Sequence, residues 1–139
     1  MGTIFSRIVE GDIPARIVYE DETTMAFLDA NPLAPGHTLV IPKAEHARLN
    51  DLPGELAADL YRTLHHLVPA VESAVDADGS NVGFNNGPAA GQEIAHVHGH
   101  VIPRFEGDGG SPIHAVGGRA PDLDDDELDE IADAIETAV

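Results

Sequence analysis

The stretch His96-Val97-His98-Gly99-His100-Val101-Ile102 places an imidazole at every second position, with valine or glycine between. Side chains on an extended strand point alternately to opposite faces. The spacing therefore predicts a strand over His96 to Arg104, with His96, His98 and His100 on one face. Val97, Gly99 and Val101 share the other face, toward a core. Residues two apart on a strand are separated by about 6.6 Å, so three rings in a row span a phosphate group and its neighbours. Two chemistries suit such a row. His-x-His is a ligand spacing for zinc, iron or copper. Neutral imidazole is also a nucleophile and a hydrogen-bonding group at neutral pH. The segment alone leaves both open.

Outward from this strand, the pattern predicts one α+β domain over residues 1–139. Thr3 to Val9 reads as a short helix, ended by Gly11-Asp12-Ile13-Pro14. Arg16 to Glu20 and Thr24 to Leu28 read as a hairpin, and His37 to Ile41 as a strand ended by Pro42. Leu56, Leu60, Leu64, Leu67, Val71 and Val75 recur at spacings of three and four, which predicts a long helix from Glu55 to Ala77. Pro69 inside that pattern predicts a kink or break. Asn81 to Asn85 reads as a strand. Residues 106–121 are glycine-rich and read as a mobile loop. Residues 122–139 read as an acidic C-terminal helix from Asp124, with Leu128, Ile131 and Ile135 on one face. Carboxylates from Asp122 to Glu130 suit a solvated helix N-terminus. The expected architecture is an antiparallel sheet of about five strands with one long helix and a C-terminal helix.

Composition narrows the function. Seven basic residues stand against 25 acidic ones, a net charge of −18, and Lys43 is the sole lysine. That field repels nucleic acid and anionic membranes, so neither is an expected partner. It also repels nucleotides unless salt screens it. At molar ionic strength the Debye length falls to about 3 Å, and an acidic, lysine-poor surface fits a halophilic protein. Cysteine is absent, which removes disulfides, thiolate ligands and thiol nucleophiles. No apolar run reaches the length of about eighteen residues that a membrane helix needs. Met1 to Glu10 lacks the apolar core of a secretory signal, so the expected location is cytoplasmic. His65, His66 and His114 read as solvated or packed side chains.

Two further stretches bear on the histidines. Asn85-Asn86-Gly87-Pro88-Ala89-Ala90-Gly91-Gln92 is rich in amides and small residues, which suits a loop wrapped around an anion. Pro35-Gly36-His37-Thr38-Leu39-Val40-Ile41-Pro42-Lys43 places a fourth histidine at the head of a strand. With Gly91-Gln92, the alternating histidines and Val101-Ile102-Pro103-Arg104, this block resembles the histidine-triad (HIT) superfamily. The resemblance runs from Phe5 to Arg104 and takes in Ile13-Pro14-Ala15 and Ala26-Phe27-Leu28-Asp29.

The resemblance implies a HIT-like fold, a homodimer, and hydrolysis at the α-phosphate of a purine nucleotide without cofactor or metal. Nucleoside phosphoramidates and dinucleoside polyphosphates are the implied substrates. Nucleotidyl transfer to an acceptor other than water, or nucleotide binding without turnover, are the alternatives. His98 matches the nucleophile that forms a covalent nucleotidyl-imidazole. His100 matches the residue that contacts phosphate oxygens, His96 a mainly structural member, and His37 the residue that orients the nucleophile. Asn85 and Gln92 match phosphate contacts and Asp29 a ribose contact; Phe5, Ile8 and Phe27 match the base pocket. Two departures stand out. Gly99 replaces a larger apolar residue, which predicts a packing change. His46 and His96 match two ligands of a structural zinc, but Thr3-Ile4-Phe5-Ser6 stands where many relatives carry Cys-x-x-Cys. Without the sulfur pair no structural zinc is expected.

Overall fold

The computed structural model describes residues 2–139. Three α-helices, α1 (Ile4–Val9), α2 (Gly54–Ala74) and α3 (Asp125–Ala138), accompany five strands: β1 (Ile17–Glu20), β2 (Thr24–Leu28), β3 (Thr38–Pro42), β4 (Gly79–Phe84) and β5 (Gly99–Arg104). The strands form one sheet in the order β1-β2-β3-β5-β4, each pair antiparallel. The α+β, five-stranded architecture is the one the sequence predicts.

Both faces of the central strands are covered, and period two decides which side chain goes where. Ala26, Val40, Val97 and Val101 pack with Leu60, Leu64, Leu67 and Val71 of α2. Met25, Phe27, Leu39 and Ile41 face the other way and pack with Phe5 and Ile8 of α1. Gly99 belongs to the α2 side. A Cβ there would sit 3.0 Å from Phe84 Cζ and 3.2 Å from Leu64 Cδ1, so the missing side chain is what lets these two groups close over the strand.

β3 and β4 are offset by one or two residues from the sequence reading, and two differences are larger. Helix α2 runs through Pro69 without a break and stops at Ala74. Pro69 cannot bond the carbonyl of His65, but both residues are on the exposed side of the helix, where a missing helical bond costs least. The helix ends where Asp76 turns left-handed, at φ 54°, and the Ala77 N–H returns to the Glu72 carbonyl. Strand β5 begins at Gly99 rather than His96. The β3–β5 ladder pairs Thr38 with Val101, Leu39 with His100 and Val40 with Gly99. Continued outward, it would set Val97 against Pro42, which has no N–H to give. Val97 instead donates to the His46 carbonyl, and the Pro42 carbonyl takes the His96 ring. The three histidines still face the α1 side in order, but the first two stand on irregular chain ahead of the ladder.

Beyond Phe105 every residue is exposed. The start of this segment is tied back by Arg104, which donates to Asp108 and to the Ser111 carbonyl. Helix α3 is capped by Asp124, whose carboxylate accepts the Glu127 N–H while Glu127 reaches back to the Asp124 N–H. Leu128, Ile131 and Ile135 share its face as the sequence predicts, and all three are exposed. Among the described residues no helix is long and apolar enough to cross a membrane.

Candidate active site

Four imidazoles meet at the ends of β3 and β5, and their hydrogen bonds determine where each ring carries its proton. Assignment rests on partners with one fixed role, since a backbone N–H only donates and a carbonyl only accepts. The Leu33 N–H points at Nδ1 of His37, 3.1 Å away. That nitrogen holds a lone pair, so neutral His37 carries its proton on Nε2. Nε2 lies 2.9 Å from His100 Nδ1 and donates to it. His100 in turn carries its proton on Nε2. His98 Nδ1 lies 2.8 Å from the His96 carbonyl and is protonated, which leaves a bare lone pair on His98 Nε2. His96 donates from Nε2 to the Pro42 carbonyl at 2.8 Å, and its Nδ1 accepts from the Thr3 hydroxyl at 3.0 Å.

The result is an imidazole nitrogen with a free lone pair, on His98, next to a ring with an N–H to donate, on His100. The His98 and His100 rings are 5.1 Å apart between centroids, and the Phe5 edge holds His98 from the other side at 5.0 Å. His37 is 2% exposed and His96 is fully buried. Burial pushes His37, His96 and His100 below the usual imidazole range, His100 to about 4, with neighbouring His98 and His37 adding to the effect there. Asp29 works against the shift at His37 and His100.

These three histidines favour the folded state only while neutral. The unfolded chain takes up their protons near pH 6.5, above the folded values. Their contribution is therefore complete above about pH 6.5 and is lost as pH falls toward about 4. Thermal melts over that range should show a steady fall in Tm. A Tm unchanged between pH 7 and pH 4.5 would contradict the buried neutral rings.

Asp29, His37 and His100 also bring ligand atoms within 4.8 Å of one another, the make-up of a two-histidine, one-carboxylate metal site. The hydrogen bonding disfavours that use. A metal-bound histidine donates its other N–H to an acceptor, whereas His37 receives an N–H there and holds its proton on the nitrogen a metal would take. Beside His46, both nitrogens of His96 are hydrogen-bonded, to the Pro42 carbonyl and the Thr3 hydroxyl.

The remaining sequence candidates divide. Asp29 accepts the Asn31 N–H on Oδ1 and brings Oδ2 to 3.7 Å from His37 Nε2. Asn85 is exposed at the end of β4 and lines a cavity of about 360 Å³ with His100, Leu33, Ile113 and Val116. Gln92 lies elsewhere in its role. Its Oε1 accepts the Gly87 N–H, and its Nε2 gives both protons to the Ala47 and Ile94 carbonyls. It clamps the 87–92 loop and has no N–H left for a phosphate. Phe5, Ile8 and Phe27 are packed into a closed cluster, each under 10% exposed. Thr3, Leu33 and Pro42 are hydrogen-bond partners of these rings that the sequence reading missed. Thr3-x-x-Ser6 ahead of an apolar run signals a helix cap, which is the one local hint at Thr3.

The HIT domain family model matches residues 10–107. An uncharacterized HIT-like protein of Methanocaldococcus jannaschii is 46% identical over 106 residues, 76% of this chain and 81% of that protein. The adenosine 5'-monophosphoramidase of Saccharomyces cerevisiae is 38% identical over 128 residues, 92% of this chain and 77% of that one. The crystal structure of a HIT family member from Bacillus subtilis superposes with a TM-score of 0.89 at 34% identity, covering 100% of this chain and 98% of that one.

Proposed function

Because this chain belongs to the HIT family, we propose that it is a nucleotide hydrolase acting at the α-phosphate of nucleoside phosphoramidates or dinucleoside polyphosphates. The observation that carries the reading is the bond from His98 Nδ1 to the His96 carbonyl, which directs a lone pair out of Nε2. That nitrogen attacks the α-phosphorus, and the bond to the amine or phosphate leaving group breaks. Water then cleaves the His98–phosphorus bond, the lone pair returns to Nε2, and a nucleoside monophosphate departs. The departing group takes up a proton and the entering water gives one up, so the cycle balances. Two displacements replace one harder step.

His100 Nε2–H donates to a phosphate oxygen as charge grows there, which is where phosphoryl-type transfer gains most. Asn85 adds an amide to the same oxygens, and Asp29 takes the ribose hydroxyls of a purine nucleotide. The monophosphoramidase named among the relatives supports this substrate class. The cavity shared by His100 and Asn85 leaves room for an acceptor other than water, which keeps nucleotidyl transfer as the second reading. Strand β4 borders the sheet, which supports a homodimer joined along that edge. The −18 charge supports a salt-rich cytoplasm as the working medium.

A substrate panel in dilute buffer and in molar KCl, each with a chelator, tests the reading. Adenosine phosphoramidate and diadenosine polyphosphates should release AMP, faster in KCl, and should be indifferent to the chelator. Inertness toward both classes in both media would overturn it.

A further inference from the structure

One hydroxyl joins the N-terminal helix to the interior of the site. Thr3 caps α1 by accepting the Ser6 N–H on Oγ1 at 3.2 Å. The same oxygen lies 3.0 Å from His96 Nδ1. Because His96 Nε2 donates to the Pro42 carbonyl, Nδ1 of the neutral ring is an acceptor, and the single hydroxyl proton of Thr3 goes there. The neighbouring groups agree in direction. Ser6 gives its hydroxyl proton to Glu45, and Glu45 also takes the Thr3 N–H. Ser6 Oγ also lies 3.4 Å from Thr3 Oγ1 and 3.5 Å from His96 Nδ1, both longer than the Thr3–His96 contact, and with its proton on Glu45 it leaves the Thr3 hydroxyl as the donor to His96.

His96 is fully buried and held at both nitrogens, so its ring and backbone cannot turn independently. Its carbonyl is the acceptor that keeps the proton of His98 on Nδ1. Thr3 also starts the helix that carries Phe5, whose ring edge meets both His96 and His98.

We propose that Thr3 is a positioning residue for His98: its hydroxyl, by donating to His96 Nδ1, fixes the ring and the carbonyl that orient the nucleophile. The inference rests on His98 being that nucleophile. A proton donor is required at this position; a cap alone does not suffice. Thr3→Asp separates the two roles, since a carboxylate caps a helix well but cannot donate. Thr3→Ser keeps both.

The test combines turnover of adenosine phosphoramidate with ¹⁵N NMR of the histidine rings. In the wild-type protein His96 should report the Nε2–H tautomer at neutral pH; an Nδ1–H signal would overturn the proposal whatever the variants do. Thr3→Ser should keep kcat within about threefold. Thr3→Asp should retain the α1 cap and the melting transition, change the His96 Nδ1 resonance because its hydroxyl donor is gone, and lose about 10-fold to 100-fold in kcat with KM little changed, the scale that misplacing a reacting group costs. A folded Thr3→Asp with wild-type kcat would overturn it. His98→Ala is run alongside: turnover surviving in that variant would instead sink the assignment of the nucleophile.

Discussion

His98→Ala is expected to lower kcat by a factor on the order of 10⁴ or more, the scale on which removal of a covalent nucleophile is felt. None of His37, His96 and His100 offers an equivalent lone pair. His100 Nε2 and His37 Nε2 both carry protons, and both nitrogens of His96 are taken. The substitution deletes a ring whose contacts are the Phe5 edge, the His100 ring and the His96 carbonyl, so the packed cluster of Phe5, Ile8 and Phe27 should stand. Nucleotide affinity should therefore persist. Single-turnover kinetics and equilibrium binding of AMP, both in molar KCl, separate the two. Turnover within tenfold of wild type would remove His98 from the mechanism. Wild-type protein quenched in acid during turnover should carry the mass of one nucleotidyl group, and the variant none.

His100→Ala follows in size, with a fall of about 10²–10³ in kcat, the range for loss of one preorganised donor to a developing oxyanion. His37→Ala should cost less. It leaves the His100 ring in place and removes the donor that holds the His100 proton on Nε2, together with the acceptor of the Leu33 N–H. The order of the two losses tests the direction of the relay. If His37→Ala proved the more damaging, the chain of protons from His37 to His100 would be wrongly drawn. Measuring kcat and KM for both variants on one phosphoramidate substrate decides it.

The sheet and its two covered faces are legible in the sequence because their cause is local. Alternation in Met25-Ala26-Phe27 and in Leu39-Val40-Ile41 assigns each side chain to α1 or α2, and the same rule puts His96, His98 and His100 together. What the sequence hides has distant causes. The start of β5 depends on Pro42, which stands across the ladder on another strand. The survival of α2 through Pro69 depends on which way the helix turns its face, since a missing bond to the His65 carbonyl costs least on the exposed side. Gln92 is expected as a phosphate contact because the resemblance to the HIT superfamily implies it. Only the folded loop reveals that Ala47, Ile94 and Gly87 have already engaged it.

The proton positions have a consequence for how such a site tolerates change. Leu33 contributes its N–H, and His96 and Pro42 their carbonyls. Replacing a side chain at Leu33 leaves its peptide group behind. The site can therefore drift in sequence at such a position while keeping the same ring tautomers, provided the path of the chain is kept. Thr3 differs. Its contribution is a side-chain hydroxyl, so on the proposal made for it a single substitution there slows the chemistry and leaves the fold standing.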